Sequence, residues 1–303
     1  MTKSILLKSA PLIALGLLYG GQAAAGPVDC SAGSVAITEI KRVTPTSGTG
    51  WTPMSIQATA CLGAYDGNDQ PPPDPQENYG YYGDGLLNGE DQQAGNDPDL
   101  PFEFGAFIED ANDPHLQDLR GDGTANDPGW IMLGKYDDVK DEDGNVIGED
   151  FFPSLVLGGQ DIVTPDYFTM SCNVGSAALG CTEGTWELTP PAALKTQLED
   201  LNFKGFFDRL VIVLKASPGF ALYYFDFSNN PDFNLDEVYN FKGTFNTGAF
   251  QNKEGEWQGL SHASVHVGDP LGNSIPEPAM LSLLGLGLLG LGFMRKSANR
   301  RRA

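Results

Sequence analysis

Positive charge is what this 303-residue chain has least of: 18 Lys and Arg stand against 40 Asp and Glu. Two of the basic residues fall in the first 25 and five in the last 27, where one acid lies. Residues 26–276 therefore carry a net charge of −28. A body this acidic repels phosphate backbones, which excludes nucleic acid as a partner. Histidine is scarce too, at three (His115, His262, His266), and no Cys-x-x-Cys pair exists, so zinc frameworks are missing. No Gly-x-Ser-x-Gly elbow occurs, nor a glycine-rich loop ending in Lys-Ser or Lys-Thr. The usual signs of an activated serine and of nucleotide binding are thus lacking, and with them a reason to expect an enzyme. Repeats of fixed period are absent, and only 190–201 has a helical pattern, with Leu194, Leu198 and Leu201 on one face.

What is present begins with the two ends. Lys3 and Lys8, the apolar run Pro11–Tyr19 and the small residues Ala23-Ala24-Ala25 have the layout of a secretory signal peptide over 1–25. At the other end Pro276-Glu277-Pro278 precedes an apolar run, Ala279–Met294, and then a basic cluster, Arg295, Lys296, Arg300, Arg301 and Arg302. Sixteen residues of helix extend about 24 Å, marginal against a hydrocarbon core of about 30 Å. The basic residues behind them would stay in the cytoplasm, which leaves the acidic body on the far side of the membrane.

Between the ends, Gly, Pro, Asp and Asn crowd 62–100 and 110–129, which read as loops. Short strand-like runs surround them: 34–40, 54–61, 101–109, 130–136, 167–172, 184–189, 208–216, 220–227, 241–250 and 260–267. In the last, Ala263, Val265 and Val267 alternate with His262, Ser264 and His266, one face apolar and the other polar. Many short strands with almost no helix predict an all-β fold, a single β-sandwich over 26–270 with jelly-roll-like connections and long acidic loops. Four cysteines in an exported chain predict two disulfides. Three pairings are open; Cys30–Cys61 and Cys172–Cys181 are favoured because each joins sequence neighbours.

No cofactor is called for, calcium excepted. Asp141, Asp143, Asn145 and Asp150 could form an oxygen cage, as could Asp122, Asn126 and Asp127; the competing reading of each loop is a solvated acidic turn. His262 and His266 lie about 13 Å apart if both are on one strand, too far to share a metal. Trp51, Trp130, Trp186 and Trp257 are candidates for stacking on sugars, with core packing as the competing use.

The tripartite tail 275–303 resembles the PEP-CTERM sorting signal of Gram-negative, exopolysaccharide-producing bacteria. That resemblance implies a transient anchor in the inner membrane at 279–294 and a basic tail at 295–302. It also implies an exosortase, a membrane-embedded cysteine transpeptidase, that recognises Pro276, Glu277 and Pro278 and removes the apolar tail. The body is similar in places to a broad group of such substrates, at Cys61-Leu62-Gly63, Gly67-Asn68-Asp69, Trp130 to Lys135, Gly184-Thr185-Trp186 and Leu260-Ser261-His262-Ala263-Ser264. These matches imply kinship and transfer no catalytic residue. The expectation is a cell-surface or extracellular protein with a structural or adhesive role in an exopolysaccharide or biofilm matrix. The rivals are a carbohydrate-binding module and a carboxylate-based glycan-active enzyme.

Overall fold

The computed structural model describes residues 29–268 apart from 44–49, 68, 70–79, 90–103, 155, 158–159, 162, 174–178, 201–206, 218, 232 and 235–236. Within these, strands β1 (Val35–Arg42), β2 (Thr52–Gln57), β3 (Ala60–Asp66), β4 (Trp130–Lys140) and β5 (Val146–Pro153) come first. Then come a two-residue pair, β6 (Val156–Leu157) and β7 (Gln160–Asp161), and strands β8 (Phe168–Cys172) and β9 (Glu183–Leu188). Helix α1 (Ala193–Asp200) follows Pro190-Pro191, and β10 (Arg209–Ala216), β11 (Gly219–Asp226), β12 (Tyr239–Asn246) and β13 (Leu260–Gly268) complete the order.

The strands form two antiparallel sheets, ordered β2-β1-β12-β9-β8 and β3-β11-β10-β13-β4-β5. Hairpins β1–β2, β8–β9, β4–β5 and β10–β11 each stay within one sheet, while β12 and β13, consecutive in sequence, enter opposite sheets at central positions. The period-2 patterns account for the layering. Leu210, Ile212 and Leu214 of β10, with Ala263, Val265 and Val267 of β13, face Ile37, Trp186, Phe168, Phe241 and Phe245 of the smaller sheet. The β-sandwich expected from the sequence is the fold of the described body.

The larger sheet has a second layer outside it. Val211, Val213, Phe220 and Leu222 point away from the main core and are roofed by Leu86, Leu87, Ala106 and Trp130. This layer overturns one predicted strand. Of 101–109, the described part 104–109 forms turns rather than a strand. Gly105 has φ +112°, and a side chain there would collide with the Leu87 carbonyl and Pro128. Ala106 donates its N–H to Leu87, Phe107 stacks on Tyr224, and the aromatic run serves as a roof. The expected 54–61 run is two strands broken at Ala58 and Thr59, the 241–250 run ends at Asn246, and β5 falls where the sequence read only an acidic turn.

Both favoured disulfides form. Cys30–Cys61 links the approach to β1 in one sheet with β3 in the other, and the Cys30 N–H donates to the Gly63 carbonyl beside it. Cys172–Cys181 closes the β8–β9 loop across a separation of 9 residues, a closure worth about 2–3 kcal/mol.

Candidate functional site

Strand β13 alternates as its sequence predicts, but its polar face is not open to water. His262, Ser264 and His266 are all buried. Their cross-strand neighbours are Lys215, Val213 and Val211 on β10, and Ser264 and His266 lie opposite Lys135 and Met132 on β4. The His262 ring nitrogen Nε2 meets Oδ1 of Asp69 at 2.5 Å, joining residues 193 apart in sequence. The Ser264 hydroxyl and His266 Nε2 are 3.1 Å apart. Lys135 Nζ reaches Asp137 at 2.7 Å. Although burial works against it, this ammonium, with the Asp138 N–H and His262 nearby, holds Asp137 below the usual carboxylate range. Burial lowers the Lys215 ammonium, opposed by Asp69.

A hydroxyl beside an imidazole is the contact an activated serine needs, but a triad requires the carboxylate to orient that same imidazole. Here the carboxylate holds His262 and the hydroxyl holds His266. Neither Ser264 nor His266 is more than a tenth exposed. The arrangement pins the segment after β3 onto the sheet.

Burial pushes His266 down to about 3. Its folded value lies below the ordinary 6.5, so the fold favours the neutral ring, and that stability is lost as pH falls from about 6.5 towards 3. His266→Gln cannot titrate. The stability advantage of wild type over this variant should shrink by about 1.4 kcal/mol per pH unit below about 6. Urea unfolding at pH 7, 6, 5 and 4.5 reads this, and a constant difference would contradict it.

The acidic loops are organised by their own backbone. At the β4–β5 tip the Asp141 carboxylate accepts N–H bonds from Asp143 and Asn145 and from the Asn145 side-chain amide, at 2.8 to 3.2 Å. These bonds, led by those from Asn145, hold its pKa low. Asp150 is not at the tip: it lies opposite Asp137 along the strands, about 13 Å from residue 141 at about 3.3 Å per residue. Asp127 is buried and accepts backbone N–H bonds from Tyr82, Leu119 and Arg120, tying 80–89 to 117–127. Among the described residues no three His, Cys, Asp or Glu side chains converge as a metal site would.

Two carboxylate pairs do face each other, Asp137 with Asp150 and Asp138 with Glu149. Three of the four are engaged: Asp137 by Lys135, Asp150 by the Phe151 N–H at 2.8 Å, and Glu149 by the Tyr136 hydroxyl at 3.1 Å and the Leu179 N–H at 2.8 Å. Trp130 and Trp186 are fully buried, whereas Trp257 is 40% exposed and Trp51 half-buried.

Residues 1–28 and 269–303 lie outside the described residues, and with them the proposed signal peptide, Pro276, Glu277, Pro278 and the apolar run 279–294. Among the described residues no helix is long and apolar enough to cross a membrane. The family model of the PEP-CTERM protein-sorting motif matches residues 274–296. No curated protein and no solved structure matches the chain. The chain thus carries a PEP-CTERM sorting motif behind an all-β body. Such a motif implies an exported protein, processed by an exosortase, at the cell surface or outside the cell.

Proposed function

We propose that this is a non-catalytic, structural or adhesive protein of an exopolysaccharide or biofilm matrix. It is exported through residues 1–25, held briefly in the inner membrane by 279–294, and released by exosortase action at Pro276-Glu277-Pro278. One observation carries the reading: among the described residues the contact between a hydroxyl and an imidazole is enclosed, while the outward face of the smaller sheet presents exposed hydroxyl groups. Ser264, His266, His262 and Asp69 are enclosed, whereas Thr169, Ser171, Thr185 and Thr244 stand open on the smaller sheet. Catalysis needs a reactive group that a substrate can reach; adhesion needs an open, hydrogen-bonding surface.

Fractionating the native host tests the role. The processed protein should sediment with the extracellular matrix of a polysaccharide-producing strain and pass into the medium in a strain that makes none. Equal partition in the two strains would contradict a matrix role.

A further inference from the structure

The outward face of the five-stranded sheet β2-β1-β12-β9-β8 is a set of rows crossing the strands. One row is Gln57, Ala36, Thr244, Thr185 and Ser171, paired in register from edge to edge. The next is Pro53, Glu39, Lys242, Glu187 and Thr169. Adjacent members stand about 4.8 Å apart, the spacing of neighbouring strands. Gln57, Thr244, Thr185, Ser171 and Thr169 are exposed. Their hydroxyl and amide groups offer both donors and acceptors along this face.

Two indoles lie along this face. The Lys242 ammonium is 4.3 Å from the Trp51 ring centre and 3.4 Å from Glu187, which places Trp51 over the outward side of the sheet. Trp257 is at the other end of β12. An ideal Cβ on Gly248 would sit 3.0 Å from Oδ1 of the outward-facing Asn246 and 3.2 Å from the Trp257 indole. Lys242 and Asn246 are about 13 Å apart along the strand, more than one sugar ring.

Local charge decides among ligands. Lys41 and Lys242 balance Glu39 and Glu187 at the centre of this face, inside a body whose net charge of −28 repels polyanions. We propose that this face binds a neutral polysaccharide, its chain laid along β12 with sugar rings stacked on Trp51 and Trp257 and hydroxyls bonded to the Thr and Ser rows. The proposal rests on the matrix reading for the presence of a polysaccharide.

Native affinity electrophoresis of the full-length chain, in a detergent without a sugar headgroup, tests it. The gels contain dextran, laminarin, mannan or hydroxyethylcellulose, with alginate as the polyanion. At least one neutral polymer should retard the wild type. Trp51→Ala and Thr185→Arg should each weaken that retardation roughly tenfold, the scale of one lost stacking contact. Thr185 is exposed, so Thr185→Arg should keep the wild-type unfolding midpoint and separates lost binding from lost folding. Retardation by no neutral polymer, retardation by alginate alone, or wild-type binding by either variant would overturn the proposal. The readout is independent of tail processing, so failure here leaves the sorting account standing.

Discussion

Trp186→Ala should cost about 3–5 kcal/mol of unfolding free energy, a large share of the 5–15 kcal/mol that holds a typical domain together. Trp186 lies in the core that the two sheets share. It is 2% exposed, its ring stacks on Phe168 with centroids 6.4 Å apart, and its Nε1–H donates to the Thr244 carbonyl at 3.2 Å. Its cross-strand partner is Gly243, where a methyl group would approach both the Trp186 indole and the Ala36 carbonyl far inside contact distance. The glycine makes room for the indole and the indole fills it. Trp186→Phe, which keeps most of the ring volume, should cost less than half as much. Urea unfolding measures both; a loss below about 1 kcal/mol for Trp186→Ala would mean that the sheets do not depend on this contact.

Glu277→Ala should have the largest effect on fate. It removes the only charge of Pro276-Glu277-Pro278 and leaves residues 1–25 and 279–294 intact. The variant should still be exported, with most of it retained in the membrane fraction at full length, while wild type loses its tail. Membrane and medium fractions probed for the body report the split. Equal distribution of the two proteins would mean that Glu277 is not read.

The β-sandwich was legible because short strand-like runs recur between turn-rich segments and β13 alternates, with Ala263, Val265 and Val267 inward; β10 and β11 are apolar on both faces, because a second layer covers the side turned away from the main core. β5 was hidden by composition. Gly148, Glu149 and Asp150 suggested a solvated turn, yet Asp143-Gly144 between Val139 and Val146-Ile147 is a hairpin signal that was available. The segment 101–109 misled for the opposite reason, since Phe102, Phe104 and Phe107 look like a strand, whereas the described 104–109 covers the larger sheet from outside. No local pattern could join Asp69 to His262. That pair exists because β3 and β13 belong to one sheet, and only the assembled topology brings the segment after β3 across to them. The polar rows of the smaller sheet were hidden likewise, because each Thr is ordinary in its own strand and becomes part of a surface through register alone.

The central claim, an exported protein released by cleavage of its sorting tail, is tested most directly by the C-terminal peptide of the wild-type protein from a host that has an exosortase. Mass spectrometry of the surface and medium fractions should find a terminus near Pro276-Glu277-Pro278 and no peptide from 279–303. Intact, membrane-bound protein ending in Arg300-Arg301-Arg302-Ala303 would contradict the account.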